Sequence, residues 1–285
     1  MSPTSTATSI PAPAETLSFG ALLKQWRGHR RMSQLQLAVA SGISQRHISF
    51  LETGRAQPSR RTILDLADTL DVPLRERNAL LLRAGFSALY NEQPLAQAEL
   101  GLFREALDQM LLQHEPYPAL ILDGRWNLVS SNTGALSFFS KFIDMSVLAR
   151  AFNSEDPDQA FPLVQLCMND NGLKPYLENW QEVTYTFLQR ARSALLANPM
   201  DRDIETLIRF LQNHPDAPES WLNPSWNTAP PPAITMQLRK DGRQYALFTV
   251  LAHFGAPQQV TSQELSVELF FPADEATRAA LTAND

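Results

Sequence analysis

The chain begins with short segments whose apolar residues recur every three or four positions, the period of a helix with one buried face. Phe19, Leu22, Leu23 and Trp26 mark the first, behind Ser18, whose hydroxyl can cap the free N–H groups of a helix start. Ser33 precedes the second, which turns Leu37 and Ala38 inward, and Ser44 precedes the third, with Ile48 and Leu51 inward and Gly54 as its stop. Pro58-Ser59 opens a fourth, with Ile63, Leu64, Leu66, Ala67 and Leu70 as the buried stripe. Pro73 opens a fifth, with Leu74, Leu80, Leu81 and Leu82, and Gly85 ends it. Helices this short need one another to bury their apolar faces. Residues 17–90 therefore read as one all-α domain of five helices.

Beyond it the pattern changes twice. Residues 86–98 look like a linker, and Leu100, Phe103, Leu107, Met110 and Leu111 return to helical spacing, so 91–115 reads as linker and connecting helix. From Pro116 the period shortens. Residues 117–122 and 126–129 flank Asp123-Gly124 and predict a β-hairpin with a type I′ turn. Residues 132–143 are helical again (Leu136, Phe138, Phe139, Phe142), as are segments through 158–213, including 177–197 and 201–211. Pro and Trp make 215–232 irregular. Residues 233–239 alternate, Lys240-Asp241-Gly242-Arg243 turns, and Tyr245, Leu247, Thr249 and Leu251 alternate in reply. Leu265, Val267, Leu269 and Phe271 form a last strand. Two strands, a block of helices and three strands predict an α+β domain over 116–285, an antiparallel sheet with helices on one face. That is the element order of a PAS-like sensor. Residues 1–16, rich in Ser, Thr, Pro and Ala, read as a disordered tail.

The most informative stretch is 33–54. Two capped amphipathic segments meet at Gly42, which has no Cβ and tolerates the positive φ of a tight turn. This is the pattern of a helix-turn-helix, whose second helix enters the major groove and reads base edges with its N-terminal residues. Those residues are Ser44 at the start, then Gln45, Arg46, Ser49 and Phe50, with His47 between them. Gln can bond adenine through two hydrogen bonds, Arg can do the same with guanine, and Phe50 can touch a thymine methyl. Gln34, Arg55, Arg60 and Arg61 are placed to anchor the phosphate backbone. Charge agrees with this. Residues 1–90 carry 11 Lys+Arg against 6 Asp+Glu, a net of +5, while 91–285 carry 13 against 24, a net of −11. A basic N-terminal part suits a polyanion, and the acidic remainder should face away from it. The expected partner is a double-stranded DNA operator, near-palindromic and bound by a homodimer.

Other chemistry finds little support. His29, His47, His114, His214 and His253 are scattered without metal-ligand spacing, so no metal site is expected. No Gly-x-Ser-x-Gly or phosphate-cradling glycine loop occurs, and no catalytic set assembles. No run of 18 apolar residues suggests a membrane span, and no export signal is visible, which points to the cytoplasm. The single cysteine, Cys167, sits in an apolar run with Leu163, Val164, Leu166 and Met168 and reads as a buried thiol.

The C-terminal part is rich in large apolar residues that could line a cavity between sheet and helices: Trp126, Phe138, Phe139, Phe142, Leu166, Met168, Trp180, Tyr185, Phe248, Val250 and Phe254. Asn132, Asn179, Tyr185, Arg190 and His253 are candidate polar groups for it. Core packing is the competing reading of each apolar residue. In that case the domain would be a protein-interaction module with no small-molecule ligand. PAS-like folds also hold haem or flavin, but beyond His253 in a predicted strand nothing supports haem.

Residues 17–85 resemble the Xre/Cro-type helix-turn-helix family, through Ser33-Gln34, Ala38, Gly42, Ile48, Leu51-Glu52 and Gly54. The stretch 56–90, with Pro58-Ser59-Arg60, Leu74-Arg75-Glu76-Arg77-Asn78 and Ala84-Gly85-Phe86, is similar to the MmyB-like bacterial regulators. So are Glu115-Pro116-Tyr117-Pro118-Ala119, Trp126-Asn127-Leu128, Asn179-Trp180 and Phe270-Phe271-Pro272-Ala273-Asp274. The resemblance spans about residues 17–278. It implies a transcription regulator with a PAS-like C-terminal ligand-binding domain, and it suggests a fatty-acid-like ligand.

Overall fold

The structure, a computed structural model, describes residues 17–92, 101–144, 146–147, 162–221, 235–255 and 259–283. The expected tail, residues 93–98 of the linker, Leu100, residues 158–161 of the helical block, most of 215–232 and the start of the 233–239 strand lie outside the described residues. The chain divides into two compact units, Met1–Leu89 and Tyr90–Asp285.

The first unit holds helices α1 (Phe19–His29), α2 (Gln34–Ser41), α3 (Gln45–Glu52), α4 (Arg60–Thr69) and α5 (Leu74–Arg83). Four of them start where a serine stands. Ser18, Ser33, Ser44 and Ser59 each accept a backbone N–H three residues on, and Gln36 returns the bond to the Ser33 N–H. Each such cap contributes about 1 kcal/mol. Gly42 ends α2 at φ +71, the left-handed turn expected of it. Leu23, Trp26, Leu37, Ile48, Leu51, Ile63, Leu66 and Leu81 are essentially without solvent contact. Three expectations need correction. Ala38 and Leu64 are half-buried, and Leu82 is exposed. Leu74, Asn78 and Leu81 share the inward face of α5, so Leu82 falls off it. Asn78 is buried there, accepting the Leu89 N–H at 3.0 Å. Gly20 is required where α1 meets α3, since a Cβ on it would lie 2.4 Å from the Leu51 carbonyl oxygen.

The second unit opens with α6 (Gly101–Gln113), then β1 (Ala119–Leu122), β2 (Leu128–Ser131) and α7 (Thr133–Phe139). Helices α8 (Pro162–Met168), α9 (Trp180–Ala197) and α10 (Arg202–Gln212) follow. The chain then enters β3 (Thr235–Lys240), β4 (Arg243–His253), α11 (Val260–Glu264), β5 (Ser266–Pro272) and α12 (Glu275–Thr282). The five strands form one antiparallel sheet in the order β2-β1-β5-β4-β3. The last strand of the chain is thus the central one.

Helices cover both faces of this sheet, which corrects the one-face expectation. The larger core packs Leu120, Leu122, Leu238, Leu247 and Phe270 against α7 to α10. On the other face α6 sets Leu107 and Leu111 against Ala119, Ile121, Leu265 and Val267. Side chains alternate across a strand, so neighbouring residues of β1 and β5 serve different cores.

The two Asp-Gly turns differ. Asp241 (φ +50) and Gly242 (φ +77) make the expected two-residue turn between β3 and β4. The Asp123-Gly124 turn is not type I′. Asp123 Oδ1 accepts the Arg125 and Asn127 N–H groups and the Trp126 N–H donates to the Asp123 carbonyl, while Trp126 takes the left-handed conformation at φ +57. The aspartate carboxylate organises a longer loop and the positive φ passes to Trp126. The helix expected from residue 177 begins at Trp180 instead, because Leu177 and Glu178 bridge to β3 at Leu238 and Gln237.

Candidate functional site

In the first unit α3 presents one face outward and roots the other. Ile48 and Leu51 are buried, while Ser44, Gln45 and Arg46 are exposed and His47, Ser49 and Phe50 half-buried. The Arg46 guanidinium lies over the Phe50 ring at 5.3 Å, which holds a long flexible side chain against the helix surface. Arg55, Arg60 and Arg61 are exposed, and Arg61 makes only a loose surface pair with Asp65 at 3.7 Å. Among the other cations, Arg27 binds Glu52, and Arg30 donates to the Leu70 and Asp71 carbonyls.

What holds α3 at its angle is an ionic knot. Arg27 from α1 donates to Glu52 Oε1 at 2.6 Å and Oε2 at 3.0 Å, and to the Met32 carbonyl at 2.7 Å. Gln34 of α2 donates to the same Glu52 Oε2 at 2.8 Å. Three helices are thereby joined at one carboxylate. Burial pushes the Glu52 carboxyl up, but the hydrogen bonds from Arg27 and Gln34 and the nearby positive charge outweigh it and hold it below the usual carboxylate range. Gln34, expected at the phosphate backbone, here gives an amide N–H to Glu52 and so also braces the turn.

In the second unit a cavity of about 380 Å³ opens between the sheet and α7, α8 and α9. Phe139, Leu163, Cys167, Leu173, Val183, Thr186, Phe187 and Arg190 line the helical side, and Met236, Leu247, Thr249, Leu251, Glu268 and Phe270 the sheet side. The volume falls in the range typical of small-molecule pockets. Of the expected aromatic set, Phe139 reaches it. Trp126 lies just behind, with Arg190 stacked over its ring at 4.8 Å. Phe138 and Phe142 pack edge-on to Tyr245, and Leu166, Met168 and Trp180 belong to the surrounding core, where Trp180 Nε1 donates to the Cys167 carbonyl. Tyr185 packs by Trp221 and accepts from Gln189.

Phe248, Val250 and Phe254 do not line this cavity. Phe248 stacks on Phe271, Phe254 packs on Phe103 of α6, and Val250 is 46% exposed. Alternation along β4 puts Leu247, Thr249 and Leu251 toward the cavity and Phe248 and Val250 on the opposite face.

The polar candidates also separate. Asn132 is a structural hub: Oδ1 accepts the Ala119 and Ala135 N–H groups, and Nδ2 donates to the Tyr117 and Leu111 carbonyls. Asn179 ties the start of α9 to β3 through the Thr235 carbonyl and the Gln237 N–H. His253 is exposed at the end of β4. Arg190 alone among them lines the cavity. Its partner there, Glu268, was missed by sequence reasoning. Glu268 Oε1 accepts from Arg190 Nη1 at 3.3 Å, and Oε2 has no hydrogen-bond partner although it is buried. Burial pushes the Glu268 carboxyl well up, with Arg190 pulling the other way. Burial, with the charge of Glu268, pushes the Cys167 thiol up to about 12, so it stays protonated and unreactive at neutral pH. Among the described residues no group of three His, Cys, Asp or Glu is arranged to hold a metal ion, and no helix is long and apolar enough to cross a membrane.

Residues 103–283 match the family described as MmyB-like transcription regulator ligand binding domain, and residues 18–80 match a helix-turn-helix domain family. Among known proteins, RghRB of Bacillus subtilis (strain 168), described as an uncharacterised HTH-type transcriptional regulator, is 32% identical over 136 residues, which are 47% of this chain and 88% of the relative. A solved RNA-binding light-oxygen-voltage receptor aligns over 91% of this chain and 59% of its own at 12% identity. With a TM-score of 0.23, that likeness carries nothing about fold or function.

Proposed function

Because this chain belongs to the family of MmyB-like helix-turn-helix transcription regulators, we propose that it binds a specific DNA operator through α3 and adjusts that binding when a small apolar molecule occupies the cavity of its second unit. The observation that carries the DNA reading is the outward row Gln45, Arg46 and Ser49 on a helix rooted by Ile48 and Leu51. Gln45 and Arg46 read base edges. Ser44, His47 and Phe50 complete the contact surface, and Arg55, Arg60 and Arg61 anchor phosphates. Two copies reading two half-sites give a homodimer on a near-palindromic operator, working in the cytoplasm where the DNA lies.

The effector reading rests on the mainly apolar cavity, whose aliphatic and aromatic walls suit an alkyl chain of the fatty-acid kind. Effector can shift DNA binding only by the difference between its affinities for the DNA-bound and DNA-free arrangements. The protein-interaction alternative requires a filled core here, and the open volume speaks against it.

Selection of binding sequences from a random duplex pool tests the DNA reading. Arg46→Ala should then weaken binding by about 1–3 kcal/mol and relax preference at one base pair. An equal loss on every sequence would make Arg46 a phosphate anchor, and no loss at all would remove α3 as the reading element.

A further inference from the structure

We propose that Phe50 acts on DNA through Arg46: its ring holds the Arg46 guanidinium and leaves the N–H donors free for one guanine, so Phe50 sets base preference at a position it does not itself read. This rests on the DNA reading given above and gives Phe50 a definite part in that surface. Residues four apart share one face of a helix, and the Arg46 guanidinium carbon lies over the Phe50 ring at 5.3 Å. Among the described residues no hydrogen bond or ion pair holds Arg46, so the ring is what gathers it. The other arginines of the unit make the contrast. Arg27 spends its donors on Glu52 and the Met32 carbonyl, and Arg30 donates to the Leu70 and Asp71 carbonyls.

A guanidinium held by hydrogen bonds has fewer left for a base. Attraction to a ring face uses the positive charge and no N–H. It therefore orients the group without spending the donors that a two-bond contact with guanine O6 and N7 needs. An arginine already gathered onto a ring also loses less side-chain freedom on binding than one loose in water. Phe50 is itself well fixed. It is half-buried, and its backbone carbonyl accepts the Arg55 N–H at 2.8 Å, the Ala56 N–H at 3.2 Å and the Thr53 hydroxyl at 3.3 Å. The turn after α3 is thereby wound back onto this residue. One phenylalanine gathers the base reader Arg46 by its ring and the phosphate anchor Arg55 by its carbonyl.

The test is a double-mutant cycle on the full chain, read on the duplex recovered by selection from a random pool. Phe50→Leu should weaken binding about two- to fivefold and lower the preference for guanine at the base pair that Arg46→Ala identifies. Phe50→Tyr retains the ring face and should recover that loss. In the Arg46→Ala background Phe50→Leu should cost nothing further. A loss of the same size in that background makes Phe50 a direct DNA contact and overturns the proposal, as does a folded Phe50→Leu that binds with undiminished affinity. Should Phe50→Leu not fold, pentafluorophenylalanine placed at Phe50 keeps the ring's shape and reverses its quadrupole. The same weakening, with the same dependence on Arg46, is then required of it, and its absence overturns the proposal. A pool that yields no preferred sequence overturns the DNA reading itself.

Discussion

Among the described residues each unit buries one Arg–Glu pair, and the two pairs are finished differently. In the helical unit Glu52 has donors on both oxygens, from Arg27 and Gln34, and its carboxyl is held below the usual range. In the sheet unit Glu268 has one long contact and one bare oxygen, and its carboxyl is pushed above that range. A satisfied network fixes geometry, here the angle between α1, α2 and α3. An unsatisfied one leaves a buried oxygen at the cavity wall. The same two residue types thus make a closed network in one place and an open one in the other, and the number of donors around the carboxyl group sets the difference.

The contrast can be broken by mutation. Glu52→Ala removes one partner of a largely buried pair and leaves Arg27 and Gln34 facing each other, so it should cost ~3 kcal/mol, softened by the partial solvent access of Arg27. Hydrogen exchange localised to residues 17–89 reads the loss, and an unaltered first unit would mean the knot is incidental. Glu268→Gln should do the opposite. It discharges a carboxyl that burial already disfavours, and Arg190 keeps its stacking on Trp126, so the second unit should gain about 1 kcal/mol in chemical denaturation. A loss of similar size would show that Glu268 is structural.

Acid should separate the units by sign. Glu52 has a depressed folded pKa, so its contribution is present above the ordinary carboxylate value and disappears as pH falls through the folded one. Glu268 has a raised folded pKa, so its contribution is full below the ordinary value and is lost as pH rises through the folded one. On acidification from neutrality, the second unit should first become more protected against exchange while the first holds. Below the ordinary carboxylate range the first should then weaken. Parallel loss in both units from the start would remove the distinction.

Legibility followed the range of the interactions. Caps at Ser18, Ser33, Ser44 and Ser59 and the turn at Gly42 depend on residues three or four apart, so the helical unit could be read from local pattern. The outward face of α3 could be read the same way, because the buried pair Ile48 and Leu51 sets the other face. The bond from Gln34 to Glu52 could not, since the two residues are eighteen apart. The succession of elements along the chain and the α+β class of the second unit were visible, and a cavity between sheet and helices was expected, but the order of strands in the sheet and the residues that line the cavity were not legible. Choosing aromatics selected Phe248 and Phe254, whereas the sheet face selects Leu247, Thr249 and Leu251. Glu268 stands between the apolar alternates Val267 and Leu269, and nothing local marks it as buried. The missing signal was that β5 is central and covered on both faces, which follows from pairing with β1 and β4 far along the chain.

One amide in the second unit behaves as a rivet through three plates. Asn132 pins the last turn of α6, the entry to β1 and the first turn of α7 with four bonds from a single side chain. The plate farthest along carries Phe139, which touches the cavity, and the plate nearest the N-terminus is the first described helix after the DNA-reading unit. Any tilt of α7 around an occupant must therefore turn α6 with it or shear that rivet.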